Sequence, residues 1–312
     1  MRYKDILIEC GQPEYAVDFW NNMRGNELAG SRMGKGRTID TGSYALPAES
    51  DGKYEKAVTR ESVLRRIGSA FTNYDGPSTI WAADSEDLAE FIPEFGEVPI
   101  RDITNDFSPL PVERNKLAIM LRLTTEFIAD AAFDLESYMV KRLAKAFARA
   151  EDKAFITGSG DQEPTGLLHD TVGAEIGSGT TDLSCDSIID LYFSVKPEYR
   201  KNGVWLMNDE TALALKKLKD DAGNYLWRGS DDTILGKPVM ITEHMPNAEA
   251  GEKPVLFGDF SYYWIVKRSP IAVKVLKELF ALDRQTGYLA FEFIDGKLIR
   301  RDAVKALQIA SA

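Results

Sequence analysis

The longest unbroken apolar rhythm in the chain lies in FDLESYMVKRLAKAFARAEDKAFITGSG, residues 133–160. Leu135, Met139, Leu143, Phe147, Ala150 and Ala154 recur at spacings of three and four, which stacks them on one helical face. Lys141, Arg142, Lys145, Arg149 and Glu151 fall mostly off that face. Asp134 is placed to cap the N-terminus by accepting from the first free backbone N–H groups. Gly158 suits a left-handed residue that ends a helix. The pattern predicts a helix over about residues 134–157. At about 1.5 Å per residue it runs roughly 33 Å, long enough for a whole subunit to pack along it.

Upstream, Tyr15, Phe19, Trp20 and Met23 mark one face of a short helix that starts at Pro13 and Glu14. Residues 25–42, including GSRMGKGRTIDTG, are glycine-rich and poor in apolar positions. They read as an extended or flexible arm. Such an arm is odd inside a compact domain and makes sense when something outside its own subunit orders it. YALP at residues 44–47 is a short extended piece, and helical spacing returns over 53–71 through Val58, Val63, Leu64 and Ile67.

The period changes at Gly76-Pro77. Residues 78–81 begin an extended run, prolines fall at 93, 99, 109 and 111, and VERNKLAIMLRLTT (112–125) alternates as a returning strand. Residues 78–125 therefore read as one long hairpin with an acidic, proline-bearing distal half. Fifteen strand residues at about 3.3 Å each reach roughly 50 Å. A compact chain of this length has a radius of gyration of about 20 Å. Two placements fit. The ribbon projects onto a neighbouring molecule, since a lone two-stranded hairpin is marginal in water, or it curls onto its own core.

Beyond the long helix, residues 185–199 read as a second helix, 204–207 as a buried strand and 209–219 as a short helix with acids first and lysines last. Residues 231–246 read as turn, strand, turn. Strands are expected at 255–260, 262–266, 271–276, 288–294, 298–301 and 304–309, with hairpin-type turns at Gly258-Asp259-Phe260 and Asp295-Gly296. Helices and strands mix without strict alternation, so the class is α+β.

Composition narrows the function. The 312 residues are 44% hydrophobic and 28% charged, ordinary for a globular chain that buries its core without disulfides. The net charge of −11 argues against binding nucleic acid by neutralising phosphates. Cys10 and Cys185 imply no disulfide framework, and a reducing compartment is expected. No apolar run reaches membrane-spanning length, and MRYKDILIEC has too short an apolar core for a signal peptide.

Candidate chemistry is sparse. GSGDQEPTG follows a helix, whereas a phosphate loop precedes one and carries a Lys, so a helix stop and turn is the better reading. His169-Asp170 and the distant Cys185 have no spacing that supports a thiol–imidazole pair. His244 reads as a turn or interface residue. Glu86, Asp87, Glu90, Glu94 and Glu97 lack the spacing and central Gly of a calcium loop and read as a charged stripe facing solvent or a partner. No catalytic, cofactor-binding or metal-ligating residue is predicted.

DLESYMVKRLAKAFARAEDKAFITGSGDQEPTGLL resembles the signature of tailed-phage major capsid proteins with the HK97-type fold. There a long spine helix ends in an acid pair, then a Phe-bearing turn, a Gly-x-Gly turn and a Pro-x-Gly segment. Here these are Glu151-Asp152, Phe155, Gly158-Ser159-Gly160 and Pro164-Thr165-Gly166-Leu167-Leu168. EYAVDFWNNMRG, GSYALP, ILGKPVMITEHMP and LFGDFSYYWI follow the family's order, so the resemblance covers about residues 14–310.

The resemblance implies an N-terminal arm at 1–47, a helical segment of the P domain at 48–77 and an E-loop hairpin at 78–125. It further implies a P domain at 126–185 built on the spine helix, an A domain at 186–285 and return strands at 286–312. Arm and E-loop would drape over adjacent subunits. The implied function is mechanical: hexamers and pentamers of one chain close an icosahedral shell around double-stranded DNA. Portal, scaffold and decoration proteins are the further partners this implies, and no membrane or cofactor is. The alternative within the fold is an encapsulin-type compartment enclosing cargo enzymes, which gene neighbours would separate. An unrecognised enzyme is the third reading, disfavoured by the scarcity of His and Cys.

Two departures from the family pattern matter. Many members carry an N-terminal scaffolding extension that a protease removes; here the arm begins almost at Met1, so a separate scaffold exists, none is needed, or the chain is a processed form. Some members weld subunits through an E-loop lysine. Residues 86–111 hold no lysine, and the returning strand has only Lys116, so no covalent cross-link is expected.

Overall fold

The computed structural model describes residues 3–33, 42–83, 91–92, 107–130, 132–219, 227 and 232–310. The chain opens with three helices, α1 (Tyr3–Cys10), α2 (Pro13–Met23) and α3 (Glu27–Arg32). Strand β1 (Tyr44–Ala45) leads to α4 (Ala48–Glu61), α5 (Val63–Ile67) and β2 (Ser69–Thr72). Strands β3 (Thr79–Ala83) and β4 (Phe107–Pro111) form a ribbon, followed by β5 (Asn115–Thr124) and α6 (Thr125–Ala129). The spine helix α7 spans Leu135–Thr157. Next come β6 (Glu175–Thr180), α8 (Cys185–Ser194), α9 (Pro197–Arg200), β7 (Val204–Met207) and α10 (Asp209–Lys216). Strands β8 (Thr233–Ile234), β9 (Lys237–Ile241), β10 (Val255–Gly258), β11 (Tyr263–Lys267), β12 (Ala272–Leu276), β13 (Gln285–Leu298) and β14 (Val304–Ile309) complete it.

Among the described residues, two six-stranded sheets form the body. The first runs β1-β12-β13-β11-β2, with β5 also paired to β13. The second runs β6-β14-β10-β7-β9-β8. The ribbon of β3 and β4 belongs to neither. Sheet membership cuts across residue order. Strands β11 and β12 lie inside the range 186–285 yet join the first sheet, while β6 and β14, outside it, join the second.

The long helix forms where its periodicity places it. Asp134 caps it, its carboxylate accepting from Ser137 N at 3.0 Å. Leu135, Met139, Leu143 and Phe147 enter one apolar cluster with Tyr15, Phe19, Tyr54 and Tyr288. Phe155 and Ile156, at the other end, enter a second with Leu64, Tyr263, Ile265 and Leu256. A third cluster, around Trp205, Phe257, Leu191 and Leu307, fills the second sheet and α8. Trp205 and Phe257 stack at 4.2 Å between ring centroids.

Several expectations need correction. The described part of residues 25–42 is not extended: Glu27–Arg32 is a helix, capped by Asn26, whose side chain accepts from Leu28 N. Nor does the front end lack a place on its own body. Ile6, Cys10, Tyr15, Phe19, Met23 and Met33 are buried in the first cluster. Tyr15 Oη donates to Ala45 O at 2.7 Å, and Tyr288 Oη donates to Met23 O at 2.7 Å. Residues 34–41 lie outside the described residues.

The returning strand also differs. Residues 115–124 pair over their whole length with β13 rather than with the outgoing arm. The reason is the alternation itself: Leu117, Ile119, Leu121 and Leu123 pack on the first cluster, so this stretch is body, not ribbon. Among the described residues, the ribbon ladder runs only from Thr79↔Pro111 to Ala83↔Phe107.

Asp295-Gly296 is not a turn. It lies inside β13, opposite Val266 and Ile265 of β11. A Cβ on Gly296 would sit 2.6 Å from Tyr263 Oη and 2.8 Å from Phe155 Cδ1, so glycine is there for close packing. Gly258 does not close a hairpin either; a 3₁₀ turn at Phe260–Tyr262 carries the chain from the second sheet into the first. Gly158 ends the helix in extended rather than left-handed backbone, at φ −62° and ψ 143°. Its lack of a side chain matters because Pro164 O and Ala154 O crowd its α-carbon. Glu151, expected off the apolar face, is buried.

Candidate assembly surfaces

The signature at the end of α7 builds a joint. After Gly158 the chain doubles back on the helix: Gly166 N donates to Gly158 O at 2.9 Å, Leu167 N to Phe155 O at 2.8 Å and Leu168 N to Ile156 O at 2.9 Å. Glu163 Oε1 closes the turn by accepting from Ser159 N at 2.8 Å and Ser159 Oγ at 2.9 Å. Thr165 N donates to Gly296 O at 3.0 Å, and Tyr263 Oη donates to Thr165 O at 2.8 Å. Thr165, held by this turn, therefore ties the helix end to β11 and β13.

The acid pair ties α7 to α4 and α5. Asp152 accepts from Ser62 Oγ at 2.6 Å, Val63 N at 2.8 Å and Leu64 N at 3.1 Å, which caps α5 from outside it. Glu151 takes a two-pronged bond from Arg65, Nε to Oε2 at 2.7 Å and Nη2 to Oε1 at 2.8 Å. Arg65 Nη1 also donates to Glu55 Oε2 at 2.8 Å. Lys267 pairs with Glu55, lies 3.4 Å from Glu292 Oε2 and 3.8 Å from Asp51 Oδ1. Tyr54 Oη donates to Glu292 Oε1 at 2.9 Å. Burial opposes charge on Lys267, but Glu292, Asp51 and Glu55 hold its ammonium well above the usual range. Burial raises the Asp51 carboxyl. Glu55 is half-buried, yet Lys267 and Arg65 keep its carboxyl below the ordinary value. None of these partners is near α7 in sequence, so no local pattern in the helix reveals them.

The foot of the ribbon is pinned through backbone groups. Arg268 Nη1 donates to Asn73 O at 2.9 Å, Pro77 O at 3.1 Å and Gly76 O at 3.3 Å. Val112 N donates to Ser78 O at 2.6 Å, and Lys297 Nζ to Pro111 O at 2.6 Å. Asp295 accepts from Glu113 N at 2.8 Å and Asn115 Nδ2 at 3.2 Å. Above this foot the ribbon exposes aromatic surface: Trp81 is 60% and Phe107 43% accessible.

The residues weighed for chemistry stay apart. His169 Nδ1 accepts from Thr171 N at 3.3 Å. Asp170 is paired instead with Lys253, whose Nζ lies 2.7 Å away and holds the carboxyl below its usual range. Cys185 opens α8, and among the described residues no bond joins it to His169. His244 Nε2 lies 4.0 Å from Glu243, which binds Arg149. Lys116 Nζ sits 4.5 Å above the Phe291 ring. Glu86, Asp87, Glu90, Glu94 and Glu97 lie outside the described residues. Among the described residues, no group of three or more His, Cys, Asp or Glu could hold a metal ion, and no helix is long and apolar enough to cross a membrane.

Comparison with known proteins gives these features a context. A capsid polyprotein of Pseudomonas phage PAJU2 is 28% identical over 166 residues, covering 50% of this chain and 25% of that protein. A major capsid protein of Klebsiella oxytoca phage phiKO2 is 26% identical over 209 residues, covering 62% of this chain and 46% of that protein. The chain thus spans less than half the length of these curated relatives. Among solved structures, the capsid of a native GTA particle is 27% identical with a TM-score of 0.64, over 82% of this chain and 91% of that one. A chain of Gordonia phage Cozz, 13% identical with a TM-score of 0.57 over 81% and 87%, shares the fold. The mixed helix-and-sheet architecture is therefore the HK97-type fold that the spine-helix signature implied. The model of the phage capsid family matches residues 42–309, most of the chain, and the chain belongs to that family.

Proposed function

We propose that this chain is the major capsid protein of a tailed phage or prophage, assembling as hexamers and pentamers into an icosahedral shell around double-stranded DNA. The observation that carries the reading is the ribbon of β3 and β4. Among the described residues it pairs with neither main sheet, and it presents Trp81 and Phe107 to solvent. A two-stranded ribbon is marginal alone, so a surface on an adjacent copy completes it. The relatives named above are phage and particle capsids, which favours a genome-enclosing shell over an encapsulin-type compartment.

In this reading the first sheet, α4 and α7 form the P domain, and the second sheet with α8 and α10 forms the A domain. The ribbon is the base of the E-loop. The role is mechanical and involves no catalytic step. Its place is the virion, after assembly in the bacterial cytoplasm, with portal, scaffold and decoration proteins as further partners. The net charge of −11 suits a wall along which packaged DNA slides rather than one that grips it; a strongly basic inner face would contradict this. Electron microscopy of the purified protein tests the proposal. Closed shells of uniform size are expected, and small monodisperse particles at all concentrations would overturn it.

A further inference from the structure

The ionic cluster behind the spine helix contains more acid than base. Four carboxyl groups face one another there: Asp51 and Glu55 from α4, Glu151 from α7 and Glu292 from β13. The cations among them are Arg65 of α5 and Lys267 of β11. The remaining titratable groups are the phenols of Tyr54, on α4, and Tyr74, in the loop between β2 and β3, both raised by burial, that of Tyr74 to about 12. With every carboxyl charged, the cluster would carry two uncompensated negative charges.

The hydrogen bonds locate the excess. Both oxygens of Glu151 are taken by Arg65. Lys267 is shared among three carboxylates, and Glu292 Oε2 makes no hydrogen bond despite being buried. Glu151 and Glu292 are both buried, and Asp51 Oδ1 in the same cluster likewise makes no hydrogen bond, so acceptors outnumber the donors available to them. Like charges that share a dry site cannot both ionise cheaply. We propose that this buried carboxyl cluster holds one proton, and that this proton latches the spine helix to β13 and α4–α5, so that its loss loosens the joint.

The direction with pH follows from linkage. Burial, opposed by Arg65 and reinforced by Glu292, pushes Glu151 up to about 7 from an unfolded value of 4.5. A group raised in this way contributes stability that is complete below the unfolded value and is lost as pH climbs through the folded one. The joint is therefore tight in mild acid and weakens towards pH 7 and above. The titration belongs to the cluster as a whole rather than to one residue. Because it concerns one chain's own interior, it stands whether or not the chain builds a shell.

The test compares the full-length protein with Glu292→Gln, which supplies the missing donor permanently. Unfolding equilibria are measured by denaturant titration from pH 4.5 to 8. The unfolding constant of the natural protein, relative to the variant's, is expected to rise about 100-fold between pH 4.5 and 7.5. A ratio constant within about threefold would overturn the proposal. Should Glu292→Gln fail to fold, infrared spectroscopy of the natural protein at pH 6 decides. A protonated carboxylic acid band that titrates away near neutrality is expected, and its absence would refute the latch.

Discussion

Replacing Asp152 by Ala tests the idea that the acid pair, rather than apolar contact alone, fixes α5 to the spine helix. The Asp152 carboxylate accepts from Ser62 Oγ, Val63 N and Leu64 N within 2.6–3.1 Å, and all four residues are buried. Truncation leaves two buried backbone N–H groups without an acceptor, each costing about 1–3 kcal/mol, and one hydroxyl costing about 1 kcal/mol. Water reaches the new space only partly, so the expected loss is about 3–5 kcal/mol. For a chain of this size that lowers Tm by roughly 5–8 °C. Asp152→Asn keeps one carbonyl oxygen but turns an NH₂ towards a donor, so about half the loss is expected. Thermal melts give the magnitude, and hydrogen exchange gives the place. The amides of Val63 and Leu64 should exchange faster while those of β14 do not. A loss under about 1 kcal/mol with unchanged exchange at those two amides would show that α5 is held by its apolar side alone.

Gly296→Ala should cost about 1–3 kcal/mol by driving a methyl into Tyr263 and Phe155, whereas Gly179→Ala, with open space around it, should stay within about 0.5 kcal/mol; paired denaturant titrations compare them, and equal effects would rule out the packing account. Trp81→Ala should leave the melting temperature of the unassembled chain nearly unchanged, because the ring is 60% accessible, yet raise the protein concentration at which light scattering reports assembly. Unaltered assembly would detach the ribbon from that role. Boiled, reduced particles should run as one band near 34.8 kDa. A ladder of multimers would reveal a cross-link that the lysine-free stretch 86–111 does not predict.

How far the sequence could be read depended on whether the deciding interaction was local. The spine helix was legible because its cap, its apolar stripe and its stop all lie within residues 134–158. The ribbon was half legible. Gly76-Pro77 marked its start, but alternation in residues 112–125 says only that one face is buried, not which strand lies alongside. Asp295-Gly296 misled for the same reason. The dipeptide favours a turn in isolation, and partners on β11, together with Glu113 N on the Asp295 carboxylate, override it. Strand β6, EIGSGT, carried almost no signal, since two glycines and a threonine make no apolar rhythm; its pairing with β14 defines it. Glu151 looked like an exterior charge because its partner Arg65 lies 86 residues away. Tyr15, Phe19 and Met23 announced an apolar face, and only the three-dimensional arrangement showed that the face belongs to the same subunit's core.

The mounting of the ribbon has an evolutionary corollary. Arg268 and Lys297 grip main-chain carbonyls of residues 73, 76, 77 and 111, and Asp295 grips the amide of Glu113. Such a bracket is indifferent to which side chains it clamps, except that proline offers no amide to hold. Lineages can therefore lengthen, shorten or recompose whatever is carried beyond residue 83 while inheriting the angle at which it leaves. A foreign peptide inserted beyond residue 83 would leave every contact of the bracket in place.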